Sequence, residues 1–70
     1  MEITASAHRH GIADDDIRHA LHNAVHVFPG DVTIAVGGDR NGRLIEVGYV
    51  ERADEVIVIH AMPARPKFLE

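Results

Sequence analysis

Apolar residues recur along this chain with two different periods, and the switch between them sets the element order. Ile17, Ala20, Leu21, Ala24, Val25 and Phe28 fall at i, i+3, i+4, i+7, i+8 and i+11, the stripe of an amphipathic helix, which predicts a helix from Asp14 to Val27. Pro29-Gly30-Asp31 stops it. Val32 to Val36 then alternates apolar with small or polar residues, and Gly37 to Asn41 makes a turn. Leu44–Val50 and Val56–Ile59 are β-branched runs joined by the charged turn Glu51–Glu55, an organising hairpin. Ile45, Val47 and Tyr49 share its apolar face, and Leu44, Glu46, Gly48 and Val50 share a mixed one. Met1 to His10 reads as a short strand or first helical turn ending at Gly11, which can take the left-handed geometry that closes a helix. The prolines at 63 and 66 limit the tail to a short turn or helix. The expected fold is a single α+β domain over residues 1–70: a short N-terminal element, one amphipathic helix packed on a three-stranded antiparallel meander, and a short C-terminal turn or helix.

Size and composition narrow the setting. A domain of 70 residues buries only about 60% of its unfolded surface, so a partner or a homodimer would add stability. The absence of cysteine removes disulfides and thiolate metal sites. With no apolar run near the roughly 20 residues that span a bilayer and no signal-peptide core, the expectation is a soluble cytoplasmic protein with no membrane partner. The net charge of −4 argues against indiscriminate nucleic-acid binding. Yet Asp14-Asp15-Asp16 concentrates the acids, whereas Arg40, Arg43, Arg52, Arg65 and Lys67 supply most of the seven basic residues. A basic patch on an acidic body is compatible with that distribution.

Six histidines supply candidate chemistry. Asp15, His19, His22 and His26 would lie on one helix face, as a solvated row whose charge varies near neutral pH, or with His22 and His26 as a weak i, i+4 metal pair. No third ligand is evident, and no cofactor is expected. His8, Arg9 and His10 stand before Gly11, either as surface residues or as a phosphate grip. His60 closes the last strand, either as a partly buried histidine bonded to a backbone carbonyl or as a general acid or base. Arg43, Arg52, Arg65 and Lys67 are either solvated charges or a converging phosphate site. RNA cleavage by 2′-hydroxyl attack needs such cations together with proton donors and acceptors, and Glu51 beside Arg52 is a candidate base.

GIADDDIRHALHNA, a strand, GRLIEVGYVER and then VIVIHAMPARPKF together resemble the small BrnT-type toxins within the wider RelE-like group, from His8 onward. The resemblance implies a RelE-like domain that cleaves RNA to arrest growth, held inactive by an antitoxin carrying a ribbon-helix-helix part. By position it places Arg43 and Glu51-Arg52 on residues implicated in activity, and a basic helix on Met62 to Glu70. This chain has Ile57 and Ala61-Met62 where BrnT-like chains carry an arginine and Ala-Arg, with Arg65 three places later.

The expected function is therefore the toxin of a type II toxin–antitoxin pair, a metal-independent endoribonuclease. Its catalytic candidates are Arg43, Glu51, Arg52, His60 and Arg65, and its RNA-binding candidates are Arg40, Lys67, His8 and Arg9. The alternative is a non-enzymatic interaction domain of the same fold, a degenerate toxin that binds a partner protein. A histidine-rich metal or pH sensor is a third reading.

Overall fold

A computed structural model describes all residues, Met1 to Glu70. Strand β1 (Glu2–Ile3) leads into a 3-10 turn (Ala5–His8), helix α1 (Asp14–His22) and strands β2 (Ala24–Phe28), β3 (Thr33–Gly38), β4 (Leu44–Arg52) and β5 (Glu55–Pro63), followed by a second 3-10 turn (Pro66–Phe68). The strands form one sheet in the order β1-β5-β4-β3-β2. All neighbours are antiparallel except β1 with β5. The α+β class stands, with a five-stranded mixed sheet in place of three strands. No helix is long and apolar enough to cross a membrane.

The expected helix to Val27 is corrected to one ending at His22. Asn23 leaves helical geometry (φ −119°, ψ 32°), and its Nδ2 donates to the His19 carbonyl at 2.8 Å. The residues that follow, Ala24 to Phe28, include Val25, Val27 and Phe28, which suit a pleated strand at least as well as a helical stripe. Turned by Pro29-Gly30-Asp31, they pair with β3. The aspartates in the first turn of α1 complement its dipole, but the residue preceding it is Ala13, and no side chain caps it. Asp14 pairs instead with His8, and Asp16 with Arg40.

At the β4–β5 hairpin the strands run on to Arg52 and from Glu55, leaving Ala53 and Asp54 at φ 51° and 65°. Two consecutive residues at positive φ make a tight turn that follows the sheet's own twist. At the N-terminus both expected forms occur in succession, and Gly11 is left-handed at φ 76°.

Strand alternation divides the sheet into two faces. Ile45, Val47, Val58 and Ala61 pack with Ile17 and Ala20 of α1 and with Ala7 as the buried core. Tyr49 borders this core, as the hairpin pattern requires. Helix and sheet meet closely at Gly37, where a Cβ would lie 2.2 Å from the Ala20 carbonyl oxygen. Only glycine admits that approach.

Candidate functional site

The opposite face carries two cross-strand rows. His26, Val36, Glu46 and Met62 are register partners across β2, β3, β4 and β5, and Phe28, Ile34, Gly48 and His60 form the next row. A Cβ at Gly48 would come within 3.1 Å of the His60 Cβ, so the glycine lets His60 lie close against β4. No helix covers this face. The tail does so: Ala64 N–H donates to the Leu44 carbonyl at 3.1 Å, Arg65 is extended (φ −77°, ψ 149°), as a residue before proline must be, and the Pro66–Phe68 turn follows.

Glu46 is the centre of the arrangement. Its side chain is 0% exposed, a position that carboxylates occupy only when fully paired. Arg65 forks onto it, Nε to Oε1 at 3.0 Å and Nη2 to Oε2 at 2.7 Å, and the Arg65 backbone N–H adds a bond to Oε1 at 2.9 Å. His60 Nε2 completes the set, 2.9 Å from Oε2. Burial pushes the Glu46 pKa up, but the hydrogen bonds from the Arg65 side chain and backbone and from His60 outweigh it and hold the group at about 2. Glu46 is thus ionised at neutral pH and can only accept, so His60 must donate through Nε2. In its neutral form His60 then carries its lone pair on Nδ1. The same contacts raise the Arg65 pKa, which keeps the guanidinium charged.

Around this triad lie aromatic and cationic groups. Phe28 and Phe68 rings are 5.3 Å apart, and Arg65 Cζ and Lys67 Nζ lie 5.4 Å and 5.1 Å from the Phe68 centroid. His26 continues the line beside Phe28. His10 meets His60 edge to face, with ring centroids 6.1 Å apart.

The candidates of the sequence are redistributed. His60, Arg65 and Lys67 come together, although His60 binds a carboxylate and not a backbone carbonyl. The convergence of Arg43, Arg52 and Arg65 is corrected: Arg43 and Arg52 bracket β4, whose nine residues at about 3.3 Å each separate them by about 30 Å, comparable to the longest dimension of the molecule, 30 Å. Arg43 sits in the Asp39–Arg43 turn, its N–H bonded to Asp39 Oδ1 at 2.9 Å. Glu51 and Arg52 lie at the far hairpin, facing Val56 and Glu55 across the strands. Arg40 is engaged by Asp16, Nε to Oδ1 at 2.8 Å, with Asp15 3.6 Å from Nη1. Those bonds lower the Asp16 pKa and raise that of Arg40. His8 is paired with Asp14, and Arg9 follows it at the start of the Gly11 turn.

The His22–His26 pair is also corrected, because His22 ends α1 and His26 lies on β2. No group of three or more His, Asp or Glu side chains is placed to hold a metal ion. His19 is not simply solvated, since its Nδ1 is 2.7 Å from the Gly38 carbonyl oxygen. The one concavity, about 250 Å³ lined by Met1, Leu21, His22, Tyr49 and Val56, involves none of the Glu46 partners.

Comparisons with protein-family models, curated proteins and solved structures give no match.

Chemically, the Glu46–His60–Arg65 triad offers an oriented imidazole beside a charged guanidinium whose Nη1 takes no part in the bonds to Glu46. Glu46 is not among the candidates the sequence offers, and its one signal there is that of a lone acid in the apolar run LIEVGYV.

Proposed function

We propose that this chain is the toxin of a type II toxin–antitoxin pair, a metal-independent endoribonuclease that works from the sheet face opposite α1. The observation that carries the reading is the buried, ionised Glu46 holding His60 in one tautomer next to a half-exposed Arg65. A carboxylate behind an imidazole is the usual means of orienting a general base and of stabilising the imidazolium that forms. His60 Nδ1 takes the proton of a ribose 2′-hydroxyl, while Arg65 Nη1 meets the charge growing on the attacked phosphate. Phe68 offers a base-stacking surface and Lys67 a contact for a neighbouring phosphate, the combination by which single strands are held without sequence readout. Arg43, at the end of the sheet where the tail begins, extends this contact. Glu51, Arg52 and Arg40 take no part in the chemistry. The BrnT-like sequence runs support the toxin assignment and a ribbon-helix-helix antitoxin as the partner that covers this face. The reaction transfers a proton and a phosphoryl group within the substrate, and so calls for no cofactor.

One observation favours the second reading, a non-enzymatic interaction domain. Strand β2 is an edge strand with no Asp, Glu, Lys or Arg, and its Val25 and Val27 are 63% and 53% exposed, a surface suited to strand addition by a partner.

Induced expression in a bacterial host, followed by total-RNA analysis, tests the choice. Growth arrest with RNA decay, both abolished by His60→Ala and retained by Arg52→Ala, supports the nuclease. Indifference of growth and RNA to the wild-type chain supports the interaction domain.

A further inference from the structure

The triad provides one proton-transfer group, but cleavage of an RNA phosphodiester needs two, because the departing 5′-oxygen is a poor leaving group unless protonated. The side chain nearest to this role is His10. Its ring lies edge to face with that of His60, 6.1 Å between centroids at 79°. At that separation the two rings touch, so a phosphate is held not between them but across the pair, where one phosphodiester comes within reach of both imidazoles.

The position of His10 is fixed by the segment before it. Thr4 donates to the Val58 carbonyl through both its N–H and its Oγ1, each at 3.0 Å, and Ser6 Oγ donates to the Ile59 carbonyl at 2.7 Å. Ala7, within the same turn, is fully buried in the core, and Gly11 N–H returns to the His8 carbonyl at 3.0 Å. The first 3-10 turn is therefore riveted to β5 just where β5 presents His60. His8 and Arg9 share this segment, with His8 occupied by Asp14, while Glu46 engages His60 through Nε2. No carboxylate is bonded to His10.

We infer that His10 is the second proton-transfer residue, the general acid beside His60, and that the substrate class is RNA cleaved through its own 2′-hydroxyl; this rests on the nuclease reading above. The 2′-oxygen attacks phosphorus as its proton passes to His60 Nδ1. The bond from phosphorus to the 5′-oxygen breaks as the His10 imidazolium gives its proton to that oxygen. The products are a 2′,3′-cyclic phosphate and a 5′-hydroxyl, with one proton moved from one histidine's side of the phosphate to the other and no external reactant consumed.

The test uses the purified full chain, an RNA oligonucleotide and a ribonucleoside 3′-(4-nitrophenyl) phosphate, whose leaving group departs without protonation. His10→Ala should lower oligonucleotide cleavage by about 10²- to 10⁴-fold and aryl ester cleavage by far less, whereas His60→Ala lowers both. His10→Gln, which keeps the polar volume, should behave as His10→Ala. Equal loss on both substrates, or oligonucleotide cleavage unchanged in the His10 variants, overturns the inference while leaving the nuclease reading intact. Cleavage of an oligonucleotide lacking the 2′-hydroxyl at the scissile position overturns the substrate assignment. A wild-type chain that cleaves neither substrate overturns the nuclease reading itself and this inference with it.

Discussion

The two faces of the sheet are built from the same strands and closed in opposite ways. Toward α1, Ile45, Val47, Val58 and Ala61 meet Ile17 and Ala20 in a core that holds no charge, and stability there grows with apolar area removed from water. Away from α1, a single carboxylate gathers a short tail around itself through Arg65 and His60. The first face depends on shape and is indifferent to pH. The second depends on ionisation and leaves imidazole, guanidinium and phenyl groups at the surface. A 70-residue chain thus closes one side of its sheet with apolar contacts and the other with paired charge.

Substitutions that strike one face only sharpen this contrast. The largest effect is expected at Gly37→Ala, where the new methyl would meet the Ala20 backbone and must push α1 off the sheet, costing about 3 kcal/mol or more. Denaturant unfolding monitored by circular dichroism measures it, and a loss under 1 kcal/mol would show that the helix is not seated as described.

Next is acid unfolding. The Glu46 pKa is lowered from 4.5 to about 2, so its contribution, about 3 kcal/mol, is complete above pH 4.5 and disappears as pH falls toward 2. Glu46→Gln should lose roughly 2–3 kcal/mol at pH 7 and converge with the wild type near pH 2. Asp16 is shifted in the same direction by Arg40, but that exposed pair is screened by salt. A wild-type acid transition that survives 0.5 M salt and vanishes in Glu46→Gln assigns it to the far face. The smallest effect is expected at Phe68→Ala, about 1 kcal/mol for a half-buried ring, accompanied by loosening of the tail, which amide exchange of Ala64 and Arg65 would register.

Periodicity made the core legible. Ile17 and Ala20 announce the buried stripe of α1, and Ile45, Val47 and Tyr49 announce the matching face of β4, because each pattern is local. The end of α1 was not legible for the same reason: Ala24, Val25 and Phe28 satisfy a helical stripe and a strand alike, and only their pairing with β3 decides. Strand β1 is two residues long and held by the Thr4 bonds to Val58, contacts 54 residues apart in sequence. The site failed in an instructive way. Arg43 and Arg52 flank one strand, and a strand is the most effective spacer a chain has, so closeness in sequence became near-maximal distance in space. Glu46 was visible as an acid among apolar residues, but its meaning came from Arg65, 19 residues on.

The central claim is that the face opposite α1 is the one that receives RNA. Backbone amide shifts recorded during titration of the full chain with a single-stranded RNA oligonucleotide test it most directly. The account predicts the largest changes at His10, His60, Arg65 and Phe68, with α1 undisturbed. Changes centred on Glu51 and Arg52, or none at saturating RNA, would contradict it.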